Sequence, residues 1–342
     1  MRVIRGSAAI EAAKLGPTAV GIGIFDGVHR GHQALLHQVL ALSRQSVPGE
    51  GLRAVAYTFD PHPACVLAPH LAPRLIASLD DRLNRFADLG LDLAVVEPFD
   101  RAFANTSPED FVRDVLVRRL QAKHVVVGAG FSFGARQSGD VRLLQRVGET
   151  YGFTAHPVNQ VRVDGIVVSS TKIREFVRNG RVEGATLLLG EPFALSGIVC
   201  RGAARGASLG YPTANVQTAN ELVPGQGVYA VRVQGSFGCL GGMANVGVAP
   251  TFADTASAGD VKIEVHLFDY SDVGYGTVEK GEPQSQQARS LYGEQLTVAF
   301  TARLRDERRF ADVPALVAQL HADAQEARSV LGLPPTPQHE MP

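Results

Sequence analysis

Two histidines three residues apart, His29 and His32, stand in the stretch Gly23–His32, GIFDGVHRGH. Imidazoles one helical turn apart can donate hydrogen bonds to one anionic group, and they can gain charge as that group does. The apolar run Ala19–Phe25 reads as a strand, Asp26-Gly27 as a tight turn, and an amphipathic helix opens at Gly31 with Leu35, Leu36, Val39 and Leu40 on one face. A helix start offers unpaired N–H groups and the positive end of the helix dipole, which bind phosphate without a charged side chain. The arrangement suits a nucleotide α-phosphate under attack. Two plainer readings stay open: half of a zinc site with His62 and Cys65 of HPAC, disfavoured because structural zinc sites prefer several cysteines, and two surface histidines with no role.

Three further stretches carry chemistry. In Val168–Phe176, VSSTKIREF, the hydroxyls of Ser169, Ser170 and Thr171 open a helix with Lys172 and Arg174 in its first turn, either as plain capping or as a second phosphate cradle. Arg201–Asn215, RGAARGASLGYPTAN, joins glycines that let backbone N–H groups approach phosphate to a Thr hydroxyl and an Asn carbonyl, hard oxygens of the kind Mg²⁺ accepts. It lacks the Gly-Lys-Ser/Thr of a Walker loop, and a purely structural turn is equally compatible with its composition. Lys262–Asp269, KIEVHLFD, alternates so that Lys262, Glu264, His266 and Phe268 share one strand face. A carboxylate on an inward barrel face is costly unless paired or working, which makes Glu264 a candidate general base, though the pattern does not say which face is inside.

These stretches need elements to position them. From Thr18 to about Val158 strand-like and helix-like segments alternate, with strands expected at Ala19–Phe25, Arg53–Phe59, Leu93–Glu97, His124–Val127 and Phe153–Pro157. Helices are expected at Gly31–Ser43 and Asp80–Leu89, and a third begins at the N-cap Ser107. GIFDGVHRGH, TFDPHP (Thr58–Pro63) and VGAGFSFGARQSGD (Val127–Asp140) all fall at carboxyl ends of strands, where ligands gather in open α/β sheets. After a short helix, Val182–Leu189, the alternation stops at Gly190-Glu191-Pro192. Leu195–Cys200, Gly227–Val233, Cys239–Val246, Ile263–Phe268 and Leu296–Leu304 then predict a small antiparallel barrel, closed by a helix over Val313–Leu331. Val273–Ser290 reads as a loop or hairpin extension, and the terminal PPTPQHEMP as disordered.

Composition sets the bounds. With 342 residues, 45% of them hydrophobic, the chain can bury two cores. A net charge of −1 gives no electrostatic case for nucleic acid or a membrane surface as partner. No run of about 20 apolar residues occurs, and the N-terminal residues lack an apolar leader core. Cys65, Cys200 and Cys239 are few and widely separated, as suits a reducing compartment, so a cytoplasmic protein is expected.

Taken together, GIFDGVHRGH, TFDPHP, FSFGxxxxGD, VSSTKIRE, LGYPTAN, GVYAVRV, EVHLFDYS and LRDERRF resemble, in order and spacing, the prokaryotic bifunctional riboflavin kinase/FAD synthetase family. The resemblance spans about Arg5 to Leu333 and alone names flavin. It implies an N-terminal Rossmann-like nucleotidyltransferase domain (residues 1–187) that adenylates FMN to FAD. It also implies a C-terminal β-barrel kinase (188–333) that makes FMN from riboflavin and ATP, with a tail over 334–342. Carried over by residue, His29 and His32 contact the ATP phosphates, and Gly23, Phe25, Asp26 and Gly27 shape the nucleotide pocket. Ser169, Ser170, Thr171 and Arg174 hold the triphosphate, while Phe59, Pro61, His62 and Phe131 face flavin. In the kinase, Thr213 and Asn215 position Mg²⁺ and phosphates, Gly202, Gly206 and Gly210 form the loop over the nucleotide, and Glu264 is the base. ATP, riboflavin, FMN and FAD are the expected small-molecule partners, and the chain is expected as a monomer or weak homo-oligomer.

Some positions depart from the family pattern. Gly130 and Ser132 stand where a polar or acidic residue and an Arg are frequent, and Ala207 and Ala249 replace usual arginines, with Arg205 a partial substitute for the former. The 273–290 insertion interrupts the segment after LFDYS. These departures keep alive a chain with only one of the two activities, or a flavin sensor without turnover. A cytidylyltransferase on the same N-terminal sheet is the other enzyme to exclude.

Overall fold

The structure, a computed structural model, describes residues 1–13, 15–44, 51–201, 206, 209–248, 261–270 and 291–335. Gly202, Arg205, Ala207, Ala249, the 273–290 insertion and the last seven residues lie outside these. The chain divides into two compact units, Met1–Ser170 and Thr171–Pro342.

The first unit is a six-stranded sheet with every pairing parallel. Its strands are β1 (Arg2–Arg5), β2 (Thr18–Ile22), β3 (Arg53–Asp60), β4 (Leu93–Pro98) and β5 (Ala122–Gly128), completed after the two-residue strands β6 (Ser132–Phe133) and β7 (Gly139–Asp140) by β8 (Thr154–Val158). Their spatial order is β1-β4-β3-β2-β5-β8. The chain leaves β2 toward β3 and β4, then returns to the other side of β2 with β5. That reversal opens a crevice at the carboxyl ends of β2 and β5, the place where such sheets bind ligands.

Helices α1 (Arg30–Arg44), α2 (Pro63–Leu67), α3 (Leu79–Asp88), α4 (Arg101–Ala104), α5 (Pro108–Asp110) and α6 (Val141–Tyr151) connect the strands. Ser78 caps α3 in a reciprocal capping box with Asp81, and Ser107 caps α5 through the Asp110 N–H at 3.0 Å. After α5 the chain continues as a π-helical run, Phe111–Arg119. One core lies on the side of Ile22, Tyr57, Val95 and Phe111, the other on the side of Ala19, Leu36, Val39 and Phe86, so β2 is buried along its whole length.

The expected strands of this unit are present with ends shifted by a few residues, and β1 is an additional strand. A short hairpin of β9 (Arg162–Val163) and β10 (Ile166–Val167) precedes α7 (Ser170–Arg178) and α8 (Val182–Leu189).

The second unit is a closed antiparallel barrel in the order β11-β12-β15-β14-β13-β16. The strands are β11 (Phe193–Cys200), β12 (Ala214–Thr218), β13 (Gly227–Gly235), β14 (Gly238–Val248), β15 (Val261–Leu267) and β16 (Gln295–Arg305). Five are the expected ones; β12, read in sequence only as an extended segment, is the sixth. Helix α9 (Val313–Leu331) packs Ala324, Ala327 and Leu331 against Ala230, Met243 and Tyr211. Its attachment is reinforced by Arg305, whose guanidinium grips the buried Asp323 carboxylate with donor distances of 2.7 to 3.0 Å.

Candidate functional sites

In the first unit β2 ends at Ile22, and the backbone of Gly23 still donates to Tyr57 O at 3.1 Å. The chain then turns sharply. Phe25 adopts a left-handed conformation at φ 55°, and Gly27 does so at φ 77°. A Cβ on Gly27 would lie 2.8 Å from the Ile76 side chain, so only glycine fits both the dihedral and the space. The buried Asp26 carboxylate accepts the N–H groups of Ile76 (2.9 Å) and Ala77 (3.2 Å). Asp26-Gly27 therefore pins the segment before α3 under the turn.

The turn delivers the histidines to the start of α1. His29 Nδ1 accepts the backbone N–H of His32 at 3.2 Å, satisfying one of the helix's orphan donors. In the neutral ring that acceptor role places the proton on Nε2. The two rings stack, with centroids 3.6 Å apart and planes 14° from parallel. Phe25 backs them, fully buried, with its ring edge-on to His32 at 5.3 Å and to Phe86 at 5.4 Å.

Burial first, then the neighbouring His29 and then the Arg82 guanidinium hold the His32 imidazole well below its ordinary pKa. It is neutral near pH 7, and its Nδ1 is buried with no hydrogen-bond partner among the described residues. An anion arriving at this helix start meets the neutral His32 ring and a positive dipole end. It would also raise the proton affinity of His32.

Arg82, which no motif in the sequence marked, is buried beneath this site. Its Nη1 donates to Ile24 O at 2.8 Å and lies 3.3 Å from Thr58 Oγ1, which itself donates to Ile24 O at 3.0 Å. Burial lowers its pKa, and Asp26 and Asp60 oppose that. The carboxyl ends of β2 and β3 are thereby fastened together. A sequence signal for Arg82 is lacking because its helix face reads as an ordinary exposed charge run.

Ser170 Oγ donates to the Asp26 carbonyl at 3.1 Å, which ties the first residue of α7 to the turn before His29. Ser169 precedes it in the same unit, while Thr171 and Arg174 follow on the same helix in the second unit. Phe59 and Phe131 are joined through Phe103, Phe111 and Phe133 by ring contacts of 5.5 to 6.2 Å. Phe99 packs on Phe59 at 5.8 Å. Phe99 and Phe103 are partly exposed aromatics that no sequence motif points to. Pro61 follows a cis bond from Asp60, and His62 Nδ1 accepts the Ala64 N–H at 3.0 Å as the cap of α2. No three His, Cys, Asp or Glu side chains gather as metal ligands among the described residues. Gly130 and Ser132 are exposed.

In the second unit, the register of the barrel makes the site. Asn215 on β12 is directly opposite Glu264 on β15, and Glu264 is directly opposite Asn245 on β14. Ile263, Val265 and Leu267 are buried, whereas Lys262, Glu264 and His266 lie on the other face and line a cavity of about 750 Å³. The inside of β15 is therefore the aliphatic face, and Glu264, 28% exposed, looks away from the barrel interior toward the α9 side. Lys262 Nζ donates to Glu264 Oε1 at 2.7 Å.

Thr213, two residues before Asn215, lines the same cavity with Gly206 and Tyr211. A Cβ on Gly206 would stand 2.2 Å from Tyr211 O, because the backbone folds back on itself there with Tyr211 N donating to Gly206 O at 2.9 Å. Gly210 holds φ 77° inside that turn. Phe310, Leu316 and Leu320 supply an apolar wall. The Asn215 amide oxygen and the Glu264 carboxylate on adjacent strands, with Thr213 Oγ1 just before β12, are hard oxygen donors, a set that fits Mg²⁺. The cavity's apolar side suits a flat organic substrate.

Comparisons with known proteins find a different family model in each part of the chain. An FAD synthetase family model matches residues 11–172 and a riboflavin kinase family model matches residues 189–331. The chain is 36% identical over 334 residues to the bifunctional riboflavin kinase/FMN adenylyltransferase of Escherichia coli (strain K12), covering 97% of this chain and 99% of that one. Against the protein of the same name from Bacillus subtilis (strain 168) it is 33% identical over 313 residues, 91% of each. A crystal structure described as a macrolide-efflux protein from Streptococcus pneumoniae superposes with a TM-score of 0.78 at 27% identity, covering 96% of this chain and 99% of that one. No helix among the described residues is long and apolar enough to cross a membrane. With both domains present in that order and both relatives matched over nearly their full lengths, the chain belongs to the bifunctional riboflavin kinase/FMN adenylyltransferase family.

Proposed function

We propose that the two reactions of the family are run here by two separate residue sets, and that both are active. Residues 188–333 phosphorylate riboflavin to FMN with ATP, and residues 1–187 adenylate FMN to FAD with ATP. The observation that carries this reading is the cross-strand row Asn215–Glu264–Asn245, with Thr213 beside it, in a chain that also holds the stacked His29–His32 pair at a helix start.

For adenylation, His29 and His32 donate to the phosphates of ATP while an oxygen of the FMN phosphate attacks the α-phosphorus in line and pyrophosphate leaves. The nucleophile is already an anion, so preorganised donors that meet developing charge do most of the work. Gly23, Phe25, Asp26 and Gly27 set the position of that pair, and the α7 start with Ser169, Ser170, Thr171 and Arg174 holds the triphosphate. Phe59, Pro61, His62 and Phe131 face the flavin.

For phosphorylation, Glu264 takes the proton of the riboflavin 5′-hydroxyl as its oxygen attacks the γ-phosphorus of ATP and ADP leaves. Thr213 and Asn215 hold Mg²⁺, which neutralises phosphate charge when bound. Gly202, Gly206 and Gly210 let the backbone close over the nucleotide. The described cysteines are free thiols, which supports a reducing, cytoplasmic setting. The chain acts as a monomer or weak homo-oligomer.

Product analysis tests the reading. Purified protein with Mg²⁺ and ATP should give FMN and then FAD from riboflavin, and FAD from FMN. One product missing would mean that the departures around Gly130 or in the kinase loop had disabled one activity. Neither product, with tight flavin binding, would mean a sensor. A preference for CTP without any use of flavin would mean a cytidylyltransferase.

A further inference from the structure

The short segment Tyr211–Thr213 is held from two directions. Tyr211 OH lies 2.6 Å from His321 Nδ1 on α9, and the Pro212 carbonyl lies 2.8 Å from His266 Nδ1 on β15. A carbonyl oxygen can only accept, so His266 Nδ1 is the donor and carries a proton. Rings reinforce both ties: Tyr211 sits edge-on to His266 at 5.1 Å and to His321 at 5.4 Å. His266 in turn packs edge-on against the buried Phe268 at 5.7 Å.

The placement of His266 is the notable part. It is two residues after Glu264 on the same strand and therefore on the same face. Glu264 is opposite Asn215 in the ladder, and His266 reaches the residue just before Thr213. One strand thus carries the candidate base and also grips the peptide that carries a candidate metal ligand. The ladder alone does not do this, because its pairing of β12 with β15 begins at Ala214, one residue too late to fix Thr213.

We propose that His266 is a positioning residue for the kinase reaction: through the Pro212 carbonyl it fixes Thr213 at the distance from Glu264 that binding of Mg²⁺ and nucleotide requires. His321 is the second anchor, acting through Tyr211. The proposal rests on Thr213 being a metal ligand, as read above. The role proposed for each histidine is to set where the loop backbone stands before substrate or metal arrives.

The full-length chain is used for the test, with thermal unfolding followed by circular dichroism as the check that the barrel is folded and FAD formation from FMN as the check on the first unit. Two readouts are taken: the Mg²⁺ concentration that half-saturates riboflavin phosphorylation, and amide hydrogen exchange over residues 211–215 with no metal or nucleotide present. His266→Ala should raise the half-saturating Mg²⁺ by about tenfold, as loss of one partly buried hydrogen bond implies, and should speed exchange over 211–215. His266→Asn, which keeps a donor near the Nδ1 position, should bring both back toward the wild type. A purely structural imidazole would not be rescued by asparagine, so equal impairment of both variants overturns the proposal.

So does His266→Ala with both readouts unchanged while Thr213→Ala raises the Mg²⁺ requirement. If Thr213→Ala leaves the Mg²⁺ requirement alone, the reading of Thr213 fails and the positioning role goes with it. That outcome is distinct from the previous one.

Discussion

The imidazole of His29 accepts the backbone N–H of His32 at 3.2 Å while the two rings stack 3.6 Å apart. One side chain therefore caps α1 and, with its proton on Nε2, is also a candidate phosphate donor. The two roles separate by substitution. Asparagine is a good cap but does not reach where Nε2 does, so His29→Asn should keep the unfolding midpoint and slow FMN adenylation by about 100-fold, the cost of one preorganised donor. His29→Ala should lose activity similarly and also about 1 kcal/mol of stability. Thermal unfolding and FAD formation from FMN measure the two effects independently.

His32 ties stability to pH. Its folded-state pKa is depressed, by burial first, then by His29 and Arg82, so below about pH 6.5 the unfolded chain binds more protons than the folded one. Its contribution is fully present above that pH and is lost as pH falls through the unfolded value toward the folded one. His32→Gln should therefore flatten the fall in denaturant midpoint between pH 7 and pH 5. His124 and His156, whose pKa values burial also lowers, keep their own share of the slope in the variant.

Tyr57 OH donates to Glu97 Oε2 at 2.6 Å, and the backbone N–H of Ser7 donates to the same oxygen at 2.9 Å. Burial, then the Glu97 carboxylate, pushes the Tyr57 phenol far up in pKa, so it stays a donor. Tyr57→Phe removes one of the two donors to a buried carboxylate and should cost about 1–3 kcal/mol. The loss is read from urea unfolding. Riboflavin phosphorylation at a temperature where the variant is folded should be unchanged.

At Gly206 the prediction is steric. A Cβ there would stand 2.2 Å from Tyr211 O, so Gly206→Ala must push apart the turn that leads into Thr213. Misplacing a positioning loop by about 1 Å costs on the order of 100-fold in rate, so riboflavin phosphorylation should fall by about that factor. FAD formation from FMN in the same preparation serves as the control.

Much of this architecture is legible from residue patterns, and the gaps have physical causes. The alternation of aliphatic runs with amphipathic helices announces the parallel sheet, and Gly190-Glu191-Pro192 announces the change to short strands. Strand β1 escapes notice because only Ile4 of its four residues is buried, which leaves no period to read. Strand β12 escapes because it follows Pro212 and buries only Ala214 and Val216, so its pairing with β11 and β15 comes from the barrel rather than from local preference. The π-helical run over Phe111–Arg119 has no signature distinct from an ordinary helix.

At the sites, residue types and spacing point to His29, His32, Thr213, Asn215 and Glu264. What pattern cannot give is which face of β15 looks inward, since alternation is symmetric until neighbouring strands are known. Arg82 and His266 act through backbone carbonyls of distant segments, Ile24 and Pro212, and such contacts leave no periodic trace.

The most direct measurement follows FMN and FAD separately by chromatography for Glu264→Ala and His32→Ala, each started from riboflavin and from FMN with ATP and Mg²⁺. Glu264→Ala should make no FMN from riboflavin yet convert supplied FMN to FAD. His32→Ala should accumulate FMN and make little FAD from either start. Loss of both conversions in a folded single variant would contradict the assignment of the two reactions to separate residue sets.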